Sequence, residues 1–147
     1  MTLTELPLNL SLMSQNKQYL ALDIGEVRIG VATADDVVRI AVPYDTIAMN
    51  EATFRKDIVD LVVETEASTV VVGYPRNQSG VPTAQTKYVE DRVAELQDID
   101  AEVVYQDESL TSVMAEARLK SSGRPYSKGA VDSEAAAIIL QDYLEGK

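Results

Sequence analysis

At 147 residues, with 46% hydrophobic and 25% charged side chains, the chain has the size of one domain with a sizeable core. It contains no cysteine and no histidine, which excludes thiolate or imidazole zinc sites, disulfides, and Ser-His-Asp or Cys-His nucleophiles. Any catalysis must run on carboxylates, Lys, Arg, Tyr, hydroxyls and cations held by oxygen, which favours Mg²⁺ or Mn²⁺, and a formal charge of -11 argues against indiscriminate binding to polyanions.

No apolar run approaches the roughly 20 residues that a membrane helix needs, and the amino terminus lacks the regions of a signal peptide. A cytoplasmic protein without a membrane role is expected. Residues 1–16, "MTLTELPLNLSLMSQN", show no clean period and include Met13, which marks them as a mobile extension or a stretch ahead of the true start. A single domain then spans residues 17–147. "QYLALD" and "RIGVATAD" are β-prone runs on either side of a Gly-containing turn, which predicts an antiparallel hairpin whose first strand ends on Asp23, and "RIAVPYDTI" predicts a third strand.

Between Asn50 and Ala67, Phe54, Ile58, Leu61 and Val62 recur at helical spacing behind an Asn able to cap the first turn. "STVVVGYP" is a fully apolar, β-branched run, which predicts a buried parallel strand. "GYPRNQSGVP" is a polar loop, and Pro82 opens a second helix to about Gln97 with Val89, Val93 and Leu96 on one face. "AEVVYQDESL" supplies the next strand. A third helix is expected from Thr111 to about Lys120, with Val113, Met114 and Ala117 inward, ending near a mobile loop in "SSGRPYSKG". The last helix, about Ser133 to Glu145, is apolar nearly all round ("AAAIIL") and belongs against the sheet. The order is β-β-β-α-β-α-β-α-α, an α/β protein.

A carboxylate desolvated without a partner costs several kcal/mol, so Asp23 at the end of an apolar run needs compensation. Ligands in open α/β sheets bind beyond the carboxyl ends of the strands, where Asp23 can meet Glu108 (or Asp107), just past "VVYQ". Asp132 lies three, four and seven residues before Ala135, Ala136 and Ile139, on the helix face that packs on the sheet. Three carboxylates without a neutralising Arg or Lys repel one another unless divalent cations lie between them. A pair of such cations can activate water against a phosphodiester with no need of His. The plainer readings are an N-cap for Asp132 in "VDSE" and a solvated turn for "QDES". From Thr111 to Ala130, Arg118, Lys120, Arg124 and Lys128 face a single acid, Glu116, which makes a local basic stretch. Arg76 and Asn77 suit contacts to phosphate or ribose.

Four blocks, "LDIGEVRIGVA", "VVGYPRNQSG", "QDESLTS" and "KGAVDSEAAAIILQDYL", together resemble the YqgF (RuvX) family of RNase H-like nucleases, associated with Holliday-junction resolution and with pre-16S rRNA maturation. The resemblance covers about Gln18 to Leu144. It implies an RNase H-like fold with a mixed five-stranded sheet flanked by helices, and places the family's three catalytic, metal-holding acids on Asp23, Glu108 and Asp132. It also implies that Arg28, the Asn77 loop, and Lys128 with Gly129 border the nucleic-acid groove. Val27 and Ala130 stand where family members commonly carry Lys, and Glu26 adds an acid beside Asp23, so weaker or partner-assisted nucleic-acid binding, or a need for high Mg²⁺, is expected.

The function so implied is that of a Mg²⁺- or Mn²⁺-dependent endonuclease cutting structured RNA, the 5′ end of pre-16S rRNA in ribosome biogenesis. Its partners would be precursor rRNA and the ribosomal particle, and it would act as a monomer or homodimer. The alternatives are a resolvase of branched DNA with the same site and a non-catalytic interaction module that keeps the fold.

Overall fold

"QYLALDI" is apolar on successive residues because it forms β1 (Gln18–Ile24) at the centre of a sheet covered on both faces, with Leu20, Ala21 and Leu22 fully buried. The computed structural model describes residues 16–75, 82–108 and 111–146. β1 pairs antiparallel with β2 (Arg28–Asp35), which pairs antiparallel with β3 (Val42–Ala48) across a register shift between Val31 and Ala32. On its other side β1 runs parallel to β4 (Thr69–Pro75), which runs parallel to β5 (Glu102–Glu108). The spatial order is β3-β2-β1-β4-β5. The mixed five-stranded sheet and the alternation of elements agree with the sequence reading.

The two faces differ in side-chain size. One carries Leu20, Leu22, Ile24, Ile29, Val31, Val70 and Val72, and packs against Phe54, Ile58, Leu61 and Val62 of helix α1 (Phe54–Thr65), together with Val89 and Leu96. Burying each such side chain contributes about 1.5–3 kcal/mol. The other face carries Tyr19, Ala21, Ala32, Ala34 and Val71, and is covered by Ala136, Ala137, Ile139, Leu140 and Leu144 of the last helix, α4 (Lys128–Glu145). Small residues on both sides let this helix lie unusually close to the strands. The remaining helices are α2 (Ala84–Ala94) and α3 (Thr111–Ser121).

Four local expectations change. Helix α1 starts at Phe54, because the Asn50 side chain accepts from Ala52 N at 3.0 Å and closes a turn of its own, leaving Thr53 as N-cap. Helix α2 starts after Thr83, whose hydroxyl and that of Thr86 form a capping box, and ends at Ala94, so Leu96 is buried from the turn beyond. On α3, Val113, Met114 and Ala117 face outward, Val113 at 64% exposure, while Ala115 is fully buried beside Ala135 and Ile138. A small residue wins the inward position because α3 packs helix on helix, where close approach matters more than apolar size. Helix α4 begins at Lys128 rather than Ser133, capped by Ser127, whose hydroxyl accepts from Ala130 N at 3.1 Å.

Side-chain clasps fix the edge of the sheet. Gln141 accepts from Ala41 N at 2.9 Å and donates to Arg39 O at 3.2 Å, occupying backbone groups just before β3. The Thr46 hydroxyl donates to Gly129 O, and an Arg39 guanidinium N–H to Leu144 O, so both ends of α4 hold this segment. No helix among the described residues is long and apolar enough to cross a membrane. The expected amino-terminal extension lies, but for residue 16, outside the described residues.

Candidate active site

Asp23 stands opposite Gly30 in the β1–β2 register, and the parallel pairing of Leu22 with Val72 brings Gly73 to the same level on the other side. A row Gly30–Asp23–Gly73 therefore crosses three strands, with glycine on each flank of the acid. A Cβ on Gly30 would lie 1.9 Å from the carbonyl oxygen of Asp132 and 2.2 Å from its carbon. The backbone of α4 rests on that bare strand position, which brings Asp132 over the strand carrying Asp23's partner. On the opposite flank, a Cβ on Gly73 would lie 2.7 Å from Glu108 Oε2 and 2.6 Å from Ile139 Cδ1. The Glu108 carboxylate thus reaches back across Gly73 toward Asp23.

Alternation settles which acid of "QDE" faces α4. Asp107 pairs with Tyr74 and is exposed, whereas Glu108 shares the face of Gly73. Nor is Asp132 a cap: it is the fifth residue of α4, behind the Ser127 cap. Neither plainer reading describes these acids, since Glu108 closes β5 itself rather than a solvated turn.

The electrostatics follow from this placement. Burial, then the charge of Glu108, then that of Asp132, push the Asp23 carboxyl up to about 8 from its ordinary 3.8. One premise of the sequence reading needs correction: the acids are not without a basic neighbour. Arg28, expected to border a nucleic-acid groove, directs Nε onto Asp132 Oδ2 at 2.6 Å. Among the described residues no group of three or more acids is placed closely enough to hold a metal ion as it stands. The donor chemistry nonetheless fits a hard divalent cation, because all donors are carboxylate oxygens and the central one is held neutral by its surroundings until a cation offsets them.

The basic residues divide. Arg118 donates to Glu134 of α4 at 3.1 Å, so it holds α3 to α4 as well as facing solvent. Lys120, Arg124 and Lys128 are exposed around the six-residue connection 122–127. Gly129 is partly buried, with its carbonyl taken by Thr46. Val27 is 67% exposed on the hairpin beside exposed Glu26, and Ala130 is partly buried. Arg76 and Asn77 lie outside the described residues. Sequence reasoning missed Gly30 and Gly73 as builders of this site. Their signal was present, each being a glycine within an otherwise apolar strand run, a pattern that marks close approach of another backbone or side chain.

The comparisons agree with this architecture. A family model described as "RuvX: Holliday junction resolvase" matches residues 17–146. A protein of Fusobacterium nucleatum subsp. nucleatum named "Putative pre-16S rRNA nuclease" is 37% identical over 138 residues, covering 89% of this chain and 99% of its own. One of the same name from Rippkaea orientalis is 42% identical over 134 residues, covering 87% and 95%. Among solved structures, Thermus thermophilus RuvC in complex with a Holliday junction substrate aligns with a TM-score of 0.54 at 12% identity, over 88% of this chain and 94% of that one. At that identity the likeness speaks for a shared RNase H-like fold alone.

Proposed function

This chain belongs to the RuvX family and is a nuclease, a hydrolase of phosphodiester bonds, and on that premise we propose that it is a divalent-metal-dependent endonuclease acting on structured RNA at the 5′ end of pre-16S rRNA. The observation that carries the reading is Asp23 between two glycines, with the charges of Glu108 and Asp132 both acting on it. Asp23, Glu108 and Asp132 would hold Mg²⁺ or Mn²⁺. A bound cation there supplies Lewis acidity to the phosphodiester and lowers the pKa of water.

The chain's own residues supply position. Gly30 sets the height of Asp132 above the sheet, Gly73 gives the Glu108 carboxylate its berth, and the Thr86 hydroxyl, donating to Pro75 O at 2.7 Å, anchors the end of β4 beside them. Exposed Lys120, Arg124 and Lys128 offer phosphate contacts in an otherwise acidic molecule. Work on a ribosomal precursor would be done in the cytoplasm. The second reading, cleavage of branched DNA, is favoured by the description of the family model.

The test is cleavage of a labelled precursor-rRNA end fragment and of a four-way DNA junction, by wild type and Asp23→Asn, in Mn²⁺, Mg²⁺ or EDTA. Metal-dependent RNA cutting lost in the variant is expected. Cutting of the junction alone would move the substrate to DNA, and equal inactivity of both proteins on both substrates would favour an interaction module.

A further inference from the structure

Resting on the reading that Asp23, Glu108 and Asp132 hold a divalent cation, we propose that Arg28 is a resident counter-ion for Asp132, which the metal displaces and the substrate phosphate then receives. Arg28 is thereby a positioning residue that makes metal and nucleic acid bind cooperatively. The pair joins the first residue of β2 to the fifth of α4 through a single Nε contact of 2.6 Å, so the terminal guanidinium nitrogens are not used in it. Both partners are partly open to water, the side chains being 37% and 25% exposed. A pair that keeps this much contact with water can exchange one partner for another.

A divalent cation entering beside Asp132 would bring two positive charges to a carboxylate already paired with the single positive charge of Arg28. Metal and guanidinium would then compete for the same carboxylate and repel each other. Arg28 is free to move without disturbing the fold, because its backbone is fixed independently, with Arg28 O accepting from Gly25 N at 2.9 Å and the strand paired at Ala48. The planar guanidinium matches a phosphate better than any other side chain. Where a phosphodiester lies in the groove, the displaced Arg28 finds a new anion. Where none lies there, metal binding must leave it unpaired. Each ligand therefore favours the other by the same factor.

The experiment is Mn²⁺ binding to the full chain without nucleic acid, by calorimetry, for wild type, Arg28→Gln, Arg28→Lys and Asp23→Asn. Arg28→Gln is expected to bind Mn²⁺ about tenfold more tightly than wild type, a typical coupling factor, while Arg28→Lys, which retains the charge, stays nearer wild type. In cleavage, Arg28→Gln should need less metal yet show a raised KM for RNA. In wild type, the Arg28 Nε–H resonance should leave its hydrogen-bonded position as Mg²⁺ saturates, a readout that requires no substitution. Unchanged or weaker Mn²⁺ binding in Arg28→Gln, or an Nε–H signal indifferent to Mg²⁺, overturns the proposal. If Asp23→Asn binds Mn²⁺ as well as wild type does, the metal-site reading fails and takes this one with it. If only Asp23→Asn loses binding, the counter-ion role alone falls.

Discussion

Gly30→Ala tests the placement of the site most directly. The new Cβ would lie 1.9 Å from Asp132 O, against 3.4 Å for the near edge of ordinary contact, so α4 and β2 must separate by about 1.5 Å at this point. The obstructing atoms are backbone, which cannot rotate away. Overpacking of this kind costs about 1–3 kcal/mol and occasionally more, and at roughly 2–4 °C per kcal/mol for a chain of this size Tm should fall by about 2–12 °C. Asp132 moves with the helix, and an error of 1 Å in a catalytic constellation can cost about 100-fold. Gly73→Ala is the matched control: its Cβ meets the ends of two side chains, Ile139 Cδ1 and Glu108 Oε2. It should cost about 1 kcal/mol in stability, the low end for overpacking, yet displace the Glu108 carboxylate and cut cleavage by about 100-fold. Both variants are followed by thermal melting and by cleavage at saturating Mg²⁺. A Gly30→Ala protein with unchanged Tm and activity would refute the seating of α4 on Gly30, and a fully active Gly73→Ala would remove Glu108 from the chemistry.

In EDTA, the Asp23 contribution to stability is complete below pH 3.8 and is lost as pH rises through about 8, because the folded state holds that proton more tightly than the unfolded chain. Urea melts should therefore show wild-type stability falling relative to Asp23→Asn between pH 5 and 8, by at most about 1.4 kcal/mol per pH unit; parallel profiles would contradict the raised pKa. Replacing exposed Lys120 and Lys128 together by Glu should leave Tm unchanged and flatten the salt dependence of RNA binding, by about 0.7 in slope per lost phosphate contact. Met114→Lys, on the outward face of α3, should change stability by no more than about 0.5 kcal/mol. Ala115→Leu should cost about 1–3 kcal/mol by overpacking against Ala135 and Ile138. Chemical denaturation of both would reverse the assignment of that face if the costs were exchanged.

Strands and helix order were legible because burial leaves a pattern: β4, covered on both faces, is a short β-branched apolar run, and Phe54, Ile58, Leu61 and Val62 recur at helical spacing. Helix starts were less legible, since Asn50, Thr53 and Ser127 are all competent caps and only tertiary packing selects among them. On α3 the apolar stripe misled: Val113 and Met114 look inward by hydrophobicity, but the space beside α4 admits only Ala115. Asp23 and Asp132 could be paired from strand ends and helix faces, while Glu108 was preferred to Asp107 only through the family resemblance, and its physical reason lies in the register with β4. The Arg28–Asp132 contact spans 104 positions and has no local signature at all.

The dependence of β1–β3 on α4 has a consequence for synthesis. The strands that carry Asp23 and Gly30 leave the ribosome first, yet the face formed by Tyr19, Ala21, Ala32 and Val71 is covered by residues 136–144. Until those last residues emerge, that half of the sheet has an open apolar side, the condition in which nascent chains associate wrongly. The same delay keeps the acids apart. A chain truncated before residue 128 lacks Asp132 and the helix that carries it, so on the proposed reading no partial product should cleave nucleic acid while it is being made.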